Sequence, residues 1–428
     1  LNLLILDSDT CGLDMAYRAA EAGHQVRLWI PKEKGYLPDD GRGFPGIERI
    51  NDWQNSMQWA KSGLVVYLFN GKICKELDRY REFGFPIFAP SMASSDLEVK
   101  RAKGMEAMKK CGIEVPPYKT FASLEEALAH AKKADDRLVF KVIGSEEDKS
   151  LSYCGSDPED MVWRIKSWIA AGMSLKGPCM LQDFIEGIEV GVSAWMGKNG
   201  FLPNKWNINF EFKKMMAEDY GPATGEMGTI TKYCKESRLA DEILKPCEKM
   251  LKDLGHIGDT DLNAIIDSHG KPWPLEWTAR FGWPSTQILM ASHKGDPVKW
   301  MKDAVNGKDT LEVDERVAMG VLMAAPPFPQ PDEEHAAVGL RISGIEESWD
   351  NVSPWQIQLK GGEYITTGPY VCVVTALGSD VHDVIPKCYE TVKRIKFPNR
   401  IVRSDIGKRL EKQLPQLHGF GYNEMPEW

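Results

Sequence analysis

The chain lacks any apolar run near the roughly 20 residues that cross a bilayer, which argues against a membrane-spanning helix. It has no excess of basic residues. A net charge of −9 argues against a general nucleic-acid or anionic-membrane surface. None of its nine cysteines forms a C-x-x-C pair. They are scattered at Cys11, Cys74, Cys111, Cys154, Cys179, Cys234, Cys247, Cys372 and Cys388. That pattern fits reduced thiols in a cytoplasmic protein better than a disulfide framework or a zinc site. Repeats and low-complexity tracts are absent. The opening LNLLILDSDT is too short and too soon interrupted for a secretion signal, and reads as a first strand. The loop after it, DSDTCG, has one glycine and two aspartates, whereas a phosphate-cradling loop needs several glycines and no negative charge nearby.

What is present is 428 residues, enough for two to four domains. A strand at 2–7, a helix from Leu13 to Ala22 stopped by Gly23, and a strand from Gln25 to Ile30 make a β-α-β opening. Residues 31–53 read as a long surface loop, and 64–69 and 85–91 as strands. Leu97 to Cys111 reads as one basic helix ended by Gly112. Ser123 and Glu126 form a capping box for a helix reaching Lys133. Strands are expected at 137–142 and within 179–197, where Gly187 separates two. Residues 205–230 read as mostly irregular, and Leu239 to Leu254 as amphipathic helix. The region from 320 is strand-rich, with a helix from Val381 to Ile395. The last residues read as a loosely attached tail.

The stretch Asp261–Gln287 carries the densest signal. Asp261 to Asp267 alternates, with Leu262, Ala264 and Ile266 toward a core and Asp261, Asn263, Ile265 and Asp267 away. Ser268-His269-Gly270-Lys271 has turn chemistry. On the return strand Trp273, Leu275 and Trp277 share one face, and Glu276 and Thr278 the other. A two-residue turn at His269-Gly270 sets Asn263 opposite Glu276 and Asp261 opposite Thr278. One face then carries four oxygen-bearing side chains, which suits Mg²⁺ bound together with phosphates. Arg280 follows, a planar donor for a carboxylate or phosphate. A solvated hairpin face is the alternative that the pattern alone leaves open.

Eight segments in series resemble the glycinamide ribonucleotide synthetase (phosphoribosylamine–glycine ligase) family of purine synthesis, within the ATP-grasp superfamily. They are FAPS with the following LEVKRAKGMEAMKKCGIEVP, then VFKVIG, QDFIEGIEVGVS, EDYGPATGEMG, LEWTARFG, GVLMAAPPFP, VCVVTALG and RSDIGKRL. The resemblance implies a mixed α/β and α+β chain with an ATP-grasp fold. A Rossmann-like domain would span 1–95 and the ATP-grasp body 96–312, with a lid at about 117–185. A small β-rich C-terminal domain would span 313–412, leaving a tail at 413–428. It implies an ATP-dependent ligase that activates a small amino acid, glycine in the family, as an acyl phosphate and joins it to an amine. ATP and Mg²⁺ or Mn²⁺ would be required. The partners would be small molecules only, and the protein a cytoplasmic monomer or small homo-oligomer.

By the same resemblance Glu276, Thr278 and Asn263 hold the metal. Arg101, Lys141, Lys149 and Lys213 meet phosphates, Lys149 from a mobile loop. Asp183, Phe184 and Ile185 bracket adenine, and Glu189 contacts the nucleotide. Asp219 and Arg280 hold the amino group and carboxylate of glycine, and with Lys149 make up the catalytic set. Three departures fall on the amine side. DSDTCGLDMA replaces a glycine-rich phosphate loop, FNGKIC (69–74) replaces a family loop, and Trp283 and Ser285 replace an acidic pair. They leave open a ligase for a different amine, such as a modified nucleoside or nucleotide, and a non-catalytic nucleotide-binding descendant.

Overall fold

The computed structural model describes residues 1–32, 38–143 and 151–428. Its N-terminal part is a parallel five-stranded sheet in the order Ile47–Ile50, Gln25–Trp29, Asn2–Leu6, Leu64–Tyr67, Ile87–Phe88. Helices Leu13–Glu21, Gln54–Ala60 and Lys72–Glu82 provide three of the four crossovers that parallel pairing demands. Strand Ile47–Ile50 corrects the reading of 31–53 as all loop. The four-residue IERI gains its order from pairing with Val26–Trp29, a contact distant in sequence.

A second, antiparallel sheet orders Tyr118–Phe121, Cys179–Asp183, Leu138–Val142 and Tyr153–Cys154. Helices Leu124–Ala131 and Pro158–Ala170 belong to the same small core. The capping signal at the first helix is realised: Ser123 Oγ accepts from the Glu126 N–H, and Glu126 Oε2 accepts from the Ala122 N–H.

The third sheet is the body of the molecule. Its path runs Pro272–Thr278, Gly258–Asp267, Gly187–Gly197, Trp206–Glu211, Gly228–Cys234, Val317–Ala324, Tyr370–Gly378, Val352–Pro354, antiparallel throughout. The strand-rich C-terminal region therefore continues the central sheet through the pairing of Gly228–Thr231 with Ala318–Val321. Strand Trp206–Glu211 corrects the reading of that stretch as irregular. Ile208 and Phe210 are fully buried, while Asn207 and Asn209 alternate with them.

Two helices differ from expectation. The single basic helix is two, Met92–Val99 and Arg101–Lys110, broken at Lys100 with φ −104° and ψ 81°. Lys100 and Lys103 both reach Asp96 Oδ2, at 2.9 and 3.0 Å, and Arg101 turns inward as the first residue of the second helix. Gly104 permits the close pass of that helix: a Cβ there would lie 2.2 Å from the Leu97 carbonyl oxygen. The helical run after Leu239 is interrupted by a wide turn at Ala240–Leu244 and a tight one at Lys245–Cys247, where Pro246 withholds an N–H.

The C-terminal segment is docked, which overturns the expectation of a loose tail. Helix Leu410–Gly419 buries Leu414 and Leu417, and Tyr422 and Met425 are buried beyond it. Glu424 Oε1 accepts from Ser237 Oγ at 3.0 Å and from the Leu239 N–H at 2.9 Å. Among the described residues no helix is long and apolar enough to cross a membrane.

Candidate functional site

The hairpin Gly258–Asp267/Pro272–Thr278 sets the site. Asn263 pairs with Glu276 and Asp261 with Thr278, the register expected from the alternation. The route to that register differs. The Asp267 N–H bonds to the Lys271 carbonyl, so the turn holds three residues rather than two, with Gly270 at φ +78°. A bulge at Leu275 then restores the register before Glu276 is reached. The bulge also separates the tryptophans: Trp277 lies opposite Leu262 in the core, while Trp273 lies opposite Ile265 on the other face. Trp273 there donates to Asp267 Oδ2 at 2.9 Å and stacks under the Lys271 ammonium.

At the mouth of the site, charges alternate in sign. Glu276 Oε2 accepts from Arg101 Nη2 at 2.8 Å, and Arg101 also donates to the Val142 carbonyl at 3.3 Å. Lys213 Nζ lies 2.8 Å from Glu189 Oε1 and 3.0 Å from Glu211 Oε2. Asn263 Nδ2 donates to the same two carboxylates, at 2.9 and 3.0 Å. Both amide hydrogens being committed, Asn263 Oδ1 is buried with no hydrogen-bond partner among the described residues. Burial alone would raise the pKa of Glu276, but Arg101, Lys213 and Lys141 hold it at about 2. Burial brings the Lys141 ammonium down to about 8 against the pull of Glu276. Burial works against the charge on Lys213 too, and Glu211, Glu189 and Glu276 outweigh it, so this lysine is held above its ordinary value.

Further in lies a polar cavity of about 170 Å³, walled by strands Gly187–Gly197, Trp206–Glu211 and the hairpin. Ser193, Asn207, Asn209, Glu226, Asp259, Asp261 and Arg280 line it together with the mouth residues Glu211, Lys213, Asn263, Glu276 and Thr278. Arg280 is braced by Glu98, whose Oε1 lies 3.2 Å from Nη2 and whose Oε2 accepts from the Ala279 N–H. Burial pushes Asp259 up to about 7, against the backbone N–H groups of Gly282 and Thr260 and the charge of Arg280. Burial, then the neighbouring Glu211, pushes Glu226 and Asp261 well above the usual carboxylate range. Glu98, Glu211, Glu226, Asp259 and Asn209 were not among the expected site residues. The available signal was the polar alternation of Asp259-Asp261-Asn263 and of Asn207-Asn209-Glu211, two rows on strands that flank Gly187–Gly197.

The remaining expected residues are dispersed. Asp219 is half-exposed, forms ion pairs with Arg403 at 2.9 Å and Arg409 at 3.6 Å, and does not line the cavity that holds Arg280. Asp183, Phe184 and Ile185 form the link between the second and third sheets. The Phe184 N–H bonds to the Arg137 carbonyl, and the Arg137 guanidinium stacks 3.6 Å from the Phe184 ring centroid. Lys149 falls outside the described residues.

The oxygen chemistry of the mouth fits Mg²⁺. Glu276, Thr278 and the unpaired Asn263 Oδ1 face one space, and no trio of His, Cys, Asp or Glu among the described residues is arranged to cage a metal alone. That is the pattern of an ion that keeps most of its shell for phosphates and water.

Residues 102–286 match the family model of the phosphoribosylglycinamide synthetase ATP-grasp (A) domain, and 318–409 that of the phosphoribosylglycinamide synthetase C domain. The phosphoribosylamine–glycine ligase of Clostridium acetobutylicum is 28% identical over 345 residues, covering 78% of this chain and 81% of that one. Its namesake from Vibrio vulnificus strain YJ016 is 27% identical over 433 residues, covering 96% and 98%. The crystal structure of the Thermotoga maritima phosphoribosylamine–glycine ligase superposes with a TM-score of 0.72 at 20% identity, over 95% of this chain and all of that one. A biotin carboxylase from Campylobacter jejuni, in a β,γ-ATP complex, shares the fold at a TM-score of 0.63 and 12% identity, over 98% and 97%.

Proposed function

Because the chain belongs to the phosphoribosylglycinamide synthetase family of ATP-grasp ligases, we propose that it joins a small amino acid to an amine at the expense of ATP, as a phosphoribosylamine–glycine ligase does. The γ-phosphoryl group passes to the amino-acid carboxylate, giving an acyl phosphate and ADP. The amine then attacks the acyl carbon, and phosphate leaves as the amide forms. The observation that carries this reading is the facing pair Asn263 and Glu276, ringed by Arg101, Lys141 and Lys213.

Each group has a physical task. Arg101, Lys141 and Lys213 spread positive charge over the phosphate oxygens. Glu276 keeps those cations in place and, with Asn263 and Thr278, would hold Mg²⁺, which supplies charge neutralisation when bound. Arg280, kept charged by Glu98, orients the carboxylate. The link Asp183–Ile185, between two sheets, is suited to carry adenine. Asp219, tied to Arg403 and Arg409, serves as a substrate ligand only after exchanging those partners.

Purified protein with ATP, Mg²⁺, glycine and phosphoribosylamine tests the reading. ADP release and a glycinamide product by mass are expected, with hydroxylamine trapping the acyl phosphate when the amine is withheld. No ADP release with any carboxylate would sink it.

A second reading, the same chemistry on a different amine, draws support from the first β-α turn. Asp7 Oδ2 accepts from the Gly12 N–H at 2.7 Å, and Oδ1 from the Cys11 and Asp9 N–H groups at 3.1 and 3.2 Å. Those N–H groups at the helix N-terminus are what an acceptor's phosphate would need, and a protein carboxylate already engages them.

A further inference from the structure

Resting on the ligase reading, we propose that the inner end of the cavity is an ammonium subsite, where Glu226 and Asp259 receive the amino group of the amino acid whose carboxylate meets Arg280. The unpaired polar atoms around this cavity fall into two sets. Three are acceptors: Glu226 Oε1, Asp259 Oδ1 and Asn209 Oδ1 have no hydrogen-bond partner among the described residues. Their residues are 5%, 3% and 3% exposed. Two are donors: Arg280 Nε and Trp283 Nε1 are likewise buried and unpaired. A buried polar atom without a partner is costly and rare in a native protein, so these five, with Asn263 Oδ1 at the mouth as a sixth, mark a ligand's outline. Acceptors and donors lining one small space suit the two ends of a zwitterion.

The local charges fix which end is which. Lys213 is taken up by Glu189 and Glu211, and so is not free to neutralise the inner carboxylates. Asp261 Oδ2 is engaged by Asn209 Nδ2 at 2.7 Å. That hydrogen bond leaves Glu226 and Asp259 as the carboxylates able to take a substrate cation. The subsite lies beside Arg280, whereas Asp219 is engaged elsewhere. Glu226 is thereby a specificity-determining residue that requires an amino group on the acid being activated.

The test is direct titration calorimetry, which needs no turnover. Glycine, β-alanine and L-ornithine are titrated into the full chain with ADP and Mg²⁺. Acetate serves as the control without an ammonium and methylamine as the control without a carboxylate. At least one amino acid is expected to bind at least tenfold tighter than either control. Glu226→Gln and Asp259→Asn should each weaken that binding at least tenfold, while ADP affinity stays within twofold and certifies the fold. The proposal is overturned if no amino acid outbinds acetate, or if both variants bind it as wild type does. Binding that obeys these rules without any ADP release from ATP would uphold the subsite and remove the ligase reading instead.

Discussion

The mouth of the cavity and its inner end share the same strands but are balanced in opposite ways. At the mouth Arg101 is paired with Glu276, and Lys213 with Glu189 and Glu211. At the inner end Glu226, Asp259 and Asp261 face one guanidinium, Arg280, which Glu98 already engages. The mouth holds cations whose protein partners can be exchanged for phosphate oxygens with little rearrangement. The inner end lacks a positive charge that a substrate must bring. One cavity is thus prepared for an anion at one end and a cation at the other, as a ligase binding a nucleoside triphosphate beside an amino acid requires.

The largest expected effect comes from breaking the mouth. Glu276→Gln keeps the shape but removes the anion shared by Arg101, Lys141 and Lys213. ADP formation should fall by about 10³-fold, the upper end for loss of one preorganised electrostatic group. A coupled ADP assay measures it, and activity within tenfold of wild type would show that the mouth does not organise phosphoryl transfer. Next is Arg101→Met, which frees Glu276 and removes one phosphate donor. kcat/KM for ATP should drop about tenfold, or about 1.4 kcal/mol of transition-state stabilisation. Calorimetric affinity for the amino acid should stay unchanged in the same variant, because Arg101 does not line the inner end.

The mouth was more legible in the sequence than the inner end, for physical reasons. Asn263 and Glu276 lie on two strands joined by a short turn, so period-2 alternation and one register decide their meeting. Two departures cancelled: the turn is one residue longer than expected, and the bulge at Leu275 takes that residue back. Trp273, on the turn side of the bulge, shows the cost, since it lands on the face opposite to Trp277. The inner end draws Glu226 from a glycine-rich loop, Asn209 from a stretch whose polar alternation read as irregular, and Asp259 from the start of the hairpin's first strand, ahead of the stretch whose alternation was read. No local rule brings these together; only the sheet order does. The docked C-terminal segment was hidden in the same way, because the residues that receive it, Ser237, Glu242 and Gly270, are far away in sequence.

A smaller effect tests the uncompensated acids through stability. Asp259 has its pKa raised by burial from an ordinary 3.8 to about 7. Between those values the folded chain binds more protons than the unfolded one, so this residue's contribution falls as pH rises, and the loss is complete above about 7. Asp259→Asn removes the titration. The variant should match wild type only below pH 3.8, where Asp259 is protonated in both states, gain on it as pH rises, and melt about 2 °C or more higher near pH 8. Buried His256, brought down to about 4, has the opposite sign: its contribution is lost as pH falls from 6.5. A variant advantage that grew toward low pH would mean that Asp259 is ionised and compensated in the fold, and the contrast between the two ends would fail.

The smallest effect sharpens the contrast from outside the cavity. The Tyr422 hydroxyl lies 2.8 Å from Glu242 Oε2 and 2.9 Å from the Gly270 carbonyl, one proton serving two acceptors, and ties the C-terminal segment to the hairpin turn. Tyr422→Phe should cost about 1 kcal/mol, the usual net worth of such a bond, and lower the melting temperature by about 2 °C. Counting along the strand from the turn, Asn263 and Glu276 come before Asp261 and Asp259. A loosened turn therefore disturbs the mouth first. KM for ATP should rise, by about twofold, while amino-acid affinity holds. An equal loss at both ends would mean that the hairpin moves as one rigid piece, and that the two ends differ in charge but not in mechanical independence.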